Sequence, residues 1–148
     1  MPLHMSTRGR YGVRLMVALA LNYGNGITLL KDVSRREAIS KKYLGQIIIP
    51  LKNAGLILSQ RGSRGGYALA RPPETVTVKD VVEAIEGKIA AVLCVNDPEA
   101  CARATSCVAT RVWKKLSEDI ERSLSTFTLG ALARQARELA TADASYEI

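Results

Sequence analysis

The sequence predicts a mainly α-helical protein with a small β-hairpin wing: a winged helix-turn-helix followed by a long dimerisation helix. Three observations carry that prediction. The run Ile39–Pro72, ISKKYLGQIIIPLKNAGLILSQRGSRGGYALARP, has a polar start, helically spaced apolar residues, a glycine stop and a basic Gly-rich tip between two short strand candidates. Apolar residues make up 47% of the chain but aromatics only 5%, which favours an aliphatic core built from helices. Trp113, Leu116, Ile120, Leu124 and Phe127 recur at spacings of three, four, four and three, close to a heptad seam.

The elements follow in order. Tyr11–Asn22 is apolar nearly all round, as a buried first helix is, and Gly24-Asn25-Gly26 closes it. Thr28 is placed to cap a short helix from Leu29 to about Ala38. After the short Glu37–Ser40 junction, Ser40 caps a second helix that runs to about Asn53, where Gly55 ends it. Leu56–Leu58 and Tyr67–Leu69 are the wing strands, joined by a loop with Gly62, Gly65 and Gly66. Thr77-Val78-Lys79-Asp80 has the pattern of a capping box, opening a helix that stops at Gly87. Residues 88–107 are irregular and hold all three cysteines; a long helix spans about Val108–Phe127. Thr128 caps a last helix to about Leu139, and the rest of the chain is expected to fray. The organisation expected is a DNA-binding head over 1–87, a cysteine loop over 88–107, a dimerisation helix over 108–127, and a C-terminal helix and tail over 128–148.

Charge and cysteine content narrow the function. The formal net charge is +7, and positive surface attracts phosphate. Its placement matters more than its sum. Arg8, Arg10 and Arg14 lie near the start; Lys31, Arg35, Arg36, Lys41, Lys42 and Lys52 flank the helix-turn-helix; Arg61, Arg64 and Arg71 mark the wing. The polar positions Ser40, Lys41, Lys42, Tyr43 and Gln46 come early in the second helix, where a recognition helix meets base edges, and Arg61 and Arg64 sit where a wing meets DNA. The glycines of the wing also suggest a phosphate-cradling loop, but no helix opens after them and the Lys-Ser/Thr of such a loop is missing.

Cys94-x6-Cys101-x5-Cys107 places three thiols on one short segment, which favours metal, cluster or redox chemistry over a disulfide framework. A cluster or a tetrahedral zinc ion needs a fourth donor. His4 is the only histidine, so no Cys-His or Ser-His-Asp set is available and catalysis is not expected. No stretch approaches the ~18 apolar residues of a membrane span, and the Met1–Met5 start leads into no hydrophobic region, so a cytoplasmic protein is expected.

The segments STRGRYGVRLM (Ser6–Met16), ISKKYLGQIIIPLKNAGLI (Ile39–Ile57) and RGSRGGYALARP (Arg61–Pro72), followed by the three cysteines, resemble the bacterial Rrf-type winged-helix regulators. The likeness covers roughly Met5 to Ala133. That family includes iron–sulfur cluster regulators of the IscR kind, which the chain resembles most, nitric-oxide sensors of the NsrR kind and cysteine-metabolism regulators of the CymR kind. The resemblance implies a homodimeric transcription factor, usually a repressor, on palindromic double-stranded promoter DNA. It implies that Ser40, Tyr43 and Gln46 touch DNA from the recognition helix and that Arg61 enters the minor groove. It also implies a [2Fe–2S] cluster on Cys94, Cys101 and Cys107; NsrR-like members carry [4Fe–4S] instead.

Two departures qualify the likeness. Gly45 stands where IscR-like members carry an acidic residue that discriminates between DNA sites. Thr110 stands where they carry a histidine ligand, and Arg10 where other members donate an acid from the partner subunit. His4, Asp97, Glu99 or an external thiol are the remaining fourth donors. A CymR-like alternative follows: a cluster-free regulator that senses thiol status by oxidation or through a protein partner.

Overall fold

The computed structural model describes residues 4–146, in which eleven short elements build a helical head with a two-stranded wing. Helix α1 (Thr7–Leu21) starts four residues before the apolar run suggests, because Ser6 caps it: its hydroxyl accepts from the Gly9 N–H at 3.0 Å and donates to the Glu86 carboxylate. Leu15, Met16 and Leu19 of α1 are buried in the centre of the core.

Helix α2 (Leu30–Glu37) departs from expectation at its start. Thr28 caps nothing; its backbone exchanges hydrogen bonds with Tyr67, at 2.7 and 2.9 Å, and lies beside the wing as a single strand residue. Ala38, in the left-handed conformation, closes α2. Helix α3 (Lys41–Asn53) forms as its spacing dictates: the Ser40 hydroxyl accepts from the Tyr43 N–H at 3.1 Å, and Leu44, Ile47, Ile48 and Leu51 are buried along one stripe.

Strands β1 (Ile57–Gln60) and β2 (Gly66–Leu69) pair antiparallel, Ile57 opposite Leu69 and Gln60 opposite Gly66. Gly62 has a φ of +108°, and its carbonyl accepts from the Gly65 N–H at 2.9 Å, which makes the tip a tight turn. Gly66 is required for another reason: a Cβ there would sit 2.6 Å from the Thr28 carbonyl oxygen. Gly66→Ala should therefore push the wing off its Thr28 support and cost about 1–3 kcal/mol of stability, measured by urea unfolding; an unchanged midpoint would mean that the wing is not seated on Thr28.

A 3₁₀ turn (Pro73–Thr75) leads into helix α4 (Val78–Glu86), opened by the expected capping box: Thr77 Oγ1 accepts from the Asp80 N–H at 3.1 Å, and the Asp80 carboxylate accepts from the Thr77 N–H at 2.9 Å. The cysteine segment contains one helical turn, α5 (Leu93–Asn96), and a 3₁₀ turn (Pro98–Ala100). Helix α6 (Ala109–Ser125) is long and mostly exposed. Helix α7 (Leu129–Tyr146) runs well past the expected Leu139, and residues 147–148 lie outside the described part.

The centre of the core is α1, packed against α3, α4, α7 and β2. Helix α7 returns to it by placing Leu129 and Ala133 in the core. Helix α6 is stitched to the head past its C-terminal end and to the cysteine segment at its middle. The Val78 N–H donates to the Phe127 carbonyl and the Leu129 N–H to the Val76 carbonyl, each at 2.9 Å. At the middle of the helix, the buried Ser117 hydroxyl accepts from the Ala91 N–H at 2.8 Å and donates to the Trp113 carbonyl at 2.7 Å. Among the described residues no helix is long and apolar enough to cross a membrane.

Candidate nucleic-acid interface and cysteine segment

From Ala38 to Pro73 the chain has six Lys or Arg residues and no Asp or Glu. The fold places five of them on α3 and the wing tip, so one side of the head is cationic; the sixth, Arg71, follows β2 and pairs with Asp80 at 3.6 Å. Ser40, Lys41 and Gln46 are exposed on the first turns of α3, and Arg61 and Arg64 are exposed at the wing tip. The N-terminus of α3 adds the positive end of a helix dipole to the same region. Ser40 uses its oxygen as acceptor in the cap, which leaves its O–H free to donate.

Tyr43 is more constrained than the other five. Its ring is half-buried and meets Tyr11 edge to face at 5.7 Å between centroids. The Arg14 guanidinium lies 5.5 Å from the centroid of that Tyr11 ring and pairs with Glu37 at 3.0 Å, so a small braced cluster fixes the recognition helix to α1.

The ion pairs sort the cations that sequence alone left undivided. Arg14, Arg35 and Arg71 have carboxylate partners in Glu37, Asp32 and Asp80. Among the described residues Arg8, Arg10, Lys31, Arg36, Lys41, Lys42, Lys52, Arg61 and Arg64 make no ion pair. The unpaired set is the one available to phosphate.

The three cysteines are all free thiols: Cys94 on α5 and Cys107 before α6 are half-buried, and Cys101 is exposed after the 3₁₀ turn. Cys107 is held below the ordinary thiol range by hydrogen bonds from the backbone and hydroxyl of Thr110, then from the backbone of Ala109. Thr110 thus has a role that the sequence did not announce: it stabilises a thiolate at the start of α6. Asp97 is engaged as the cap of the 3₁₀ turn, accepting from the Glu99 N–H at 3.1 Å. His4 is exposed at the start of the described chain, and the Arg10 side chain bonds to Thr7 at 3.3 Å.

Among the described residues no three of His, Cys, Asp and Glu are gathered to hold a metal. The thiols suit the sulfur side of an iron–sulfur group, one of them already biased toward thiolate, and three cysteines leave a fourth position for another donor.

Comparison with known proteins fixes the family. The Rrf2 family model, that of an iron-dependent transcriptional regulator, matches residues 5–135. The chain belongs to the Rrf2 family. It is 38% identical over 132 residues to the protein rrf2 of Nitratidesulfovibrio vulgaris, covering 89% of this chain and 88% of that one. The structure of CymR, the global cysteine regulator of B. subtilis, superposes with a TM-score of 0.73 at 36% identity, over 90% of this chain and 98% of that one. T. potens IscR superposes with a TM-score of 0.76, also at 36% identity, over 94% and 92% of the two chains. The hairpin and helices described above are thus the winged helix of this Rrf2 group, whose members are transcriptional regulators and not enzymes.

Proposed function

We propose that this Rrf2-family regulator is a cytoplasmic homodimer that represses transcription by binding palindromic promoter DNA, and that its cysteine segment carries the control signal. The observation that supports the DNA reading best is the acid-free stretch from Ala38 to Pro73, which brings a capped helix and a glycine-tipped wing together as one cationic face. Residues 1–87 supply the head, 88–107 the sensor, 108–127 the dimer contact and 128–148 the closing helix. Ser40, Lys41, Tyr43 and Gln46 read the major groove, while Arg61 and Arg64 work from the wing.

Two features support the dimer. Val108, Val112, Trp113 and Phe127 expose apolar side chains along and beside α6, at 78%, 58%, 39% and 46% of their surface. An apolar hollow of about 400 Å³, lined by Met5, Val13, Val78, Val82 and Leu124, opens between α1 and α4 beside that helix. Two half-sites presented by a dimer must match roughly one helical turn of DNA, about 34 Å.

Arg61→Ala should weaken binding to an operator selected from random duplex DNA by about 1–3 kcal/mol, roughly 5–150-fold, while binding to unrelated duplex falls less. Fluorescence anisotropy on both duplexes checks this; equal losses on the two would remove Arg61 from sequence readout.

For the sensor we favour an iron–sulfur cluster, most simply [2Fe–2S] with [4Fe–4S] as the variant, held by Cys94, Cys101 and Cys107. Bound there, it would supply a tie between the loop and α6 that depends on iron and redox state. Cys107→Ala should abolish the visible colour and bound iron of anaerobically purified protein; iron and acid-labile sulfide assays provide the check, and colour that survives the change would exclude Cys107 as a ligand. The second reading is a cluster-free thiol sensor, by oxidation or through a protein partner. It is favoured by Thr110, whose bonds to Cys107 prime a thiolate without supplying a fourth donor, and would show as a wild-type protein that remains colourless after reconstitution.

A further inference from the structure

Among the described residues one polar side chain is buried: Ser117, 3% exposed at the middle of α6. Its hydroxyl accepts from the Ala91 N–H of the cysteine segment at 2.8 Å, so α6 holds that segment at a fixed point. The segment's own helical turn, α5, packs against α6, and α6 packs against α4. One helical turn after Ser117, on the same face, stands Glu121. Its carboxylate lies 3.7 Å from the Lys79 ammonium on the first turn of α4. Lys79 also meets Glu83 of its own helix at 3.8 Å, so its single charge is shared by two carboxylates.

Asp80, the next residue, has a different partner. Its carboxylate accepts from the Thr77 N–H at 2.9 Å and lies 3.6 Å from the Arg71 guanidinium. Arg71 stands at the root of the wing: the N–H of Ala70 beside it closes the hairpin on the Leu56 carbonyl at 3.0 Å. Pro72 and Pro73 follow, with φ fixed by their rings, so little backbone freedom is left between the wing and α4. Two consecutive residues thus tie α6 and the wing root to the same turn of helix. Packing does not account for these ties. The four side chains are between 28% and 47% exposed, where ion pairs add little to stability.

We propose that the first turn of α4 couples the cysteine segment to the wing: Lys79 takes up a displacement carried by Ser117 and Glu121 of α6, and Asp80 passes it to the wing root through Arg71. The inference rests on the reading above, in which the wing binds DNA and the cysteine segment carries the control signal, and it names the route between them. Lys79, Glu121 and Arg71 are positioning residues, each acting through another group. The contacts form a continuous chain from Ala91 to the wing root. The hairpin then enlarges the movement, because Arg61 and Arg64 lie at its far end from Arg71 and a tilt at the root displaces the tip most. Such a route shifts DNA binding only as far as the two states of the segment set the wing differently.

The test compares two states of the cysteine segment in the full-length protein: thiols reduced, and thiols capped as methyl mixed disulfides with methyl methanethiosulfonate. Fluorescence anisotropy gives the Kd of each state for an operator selected from random duplex DNA. Capping should change the wild-type Kd by about fivefold or more, the lower end of ordinary coupling between sites, and dithiothreitol should restore it. Lys79→Met and Glu121→Gln should each bring the ratio of the two Kd values below about twofold, while the reduced-state Kd and the melting temperature stay as in the wild type. Arg71→Gln should lower the ratio in the same way. Lys79→Arg keeps a cation between the two helices and should retain the wild-type ratio; a ratio lost there as well would assign the effect to packing and overturn the ionic route. The inference is also overturned if capping leaves the wild-type Kd unchanged, or if Lys79→Met and Glu121→Gln keep the wild-type ratio. A wild-type protein that binds no duplex at all would instead remove the DNA-binding reading, and this inference with it.

Discussion

Val112→Arg combined with Trp113→Arg should turn the protein into a monomer and cut its affinity for a palindromic operator by about 10²–10⁴-fold. Both residues present apolar surface on α6 that their own chain leaves exposed, 58% for Val112 and 39% for Trp113. Two arginines facing their symmetry mates would place like charges in a desolvated contact, where repulsion and lost burial act together. The head itself should survive, since α6 is tied to it further along, by Glu121 paired with Lys79 at 3.7 Å and by the Val78 N–H to the Phe127 carbonyl. Sedimentation velocity gives the oligomeric state, and anisotropy on full and half operators gives the affinity. A variant that remained dimeric would move the interface off this part of α6. A monomer that still bound the full operator tightly would show that one head suffices.

Leu129→Ala should lower the unfolding free energy by about 2–5 kcal/mol, the cost of emptying a fully buried leucine site. Leu129 has no exposed surface, lies in the same cluster as Leu15, Met16 and Val76, and starts the helix that returns the chain to α1. A loss of that size would be a large share of the stability of a domain this small. Chemical unfolding monitored by circular dichroism measures it. A cost below about 1 kcal/mol would mean that α7 decorates the head without helping to hold it.

What the sequence disclosed, and what it hid, divides along one physical line: local signals were legible and pairings distant in the chain were not. Ser40 capping α3, the stop near Asn53, the capping box from Thr77 to Asp80 and the glycine-tipped wing each depend on residues within a few positions of one another. Thr28 misled because its local chemistry suits a cap while its partner, Tyr67, lies far along the chain. Helix α7 outran its expected end because alanine-rich sequence continues a helix with little periodicity to mark it.

The same division runs through the candidate site. The residues of the recognition helix and wing were readable from pattern. The pairing of Arg14, Arg35 and Arg71, which leaves other cations free, was not. Nor was the part of Thr110 at Cys107, since a threonine three residues from a cysteine signals nothing until a helix N-terminus brings the two together. The α6 seam was half legible: its spacing showed a stripe, but Leu116, Ile120 and Leu124 turn out half-covered by their own chain, and the freer apolar surface is at Val108, Val112, Trp113 and Phe127.

The attachment points of α6 limit how any signal can travel. Ser117, at the middle of the helix, grips the cysteine segment at Ala91, and the Val76–Val78 backbone of the head grips Phe127 and Leu129 just past its C-terminal end. A pull on the cysteine segment is therefore delivered halfway along α6, while the end of the helix stays anchored to the head. In a dimer built on α6, a few degrees of rotation about that anchor would be magnified at the wings, the points farthest from the axis.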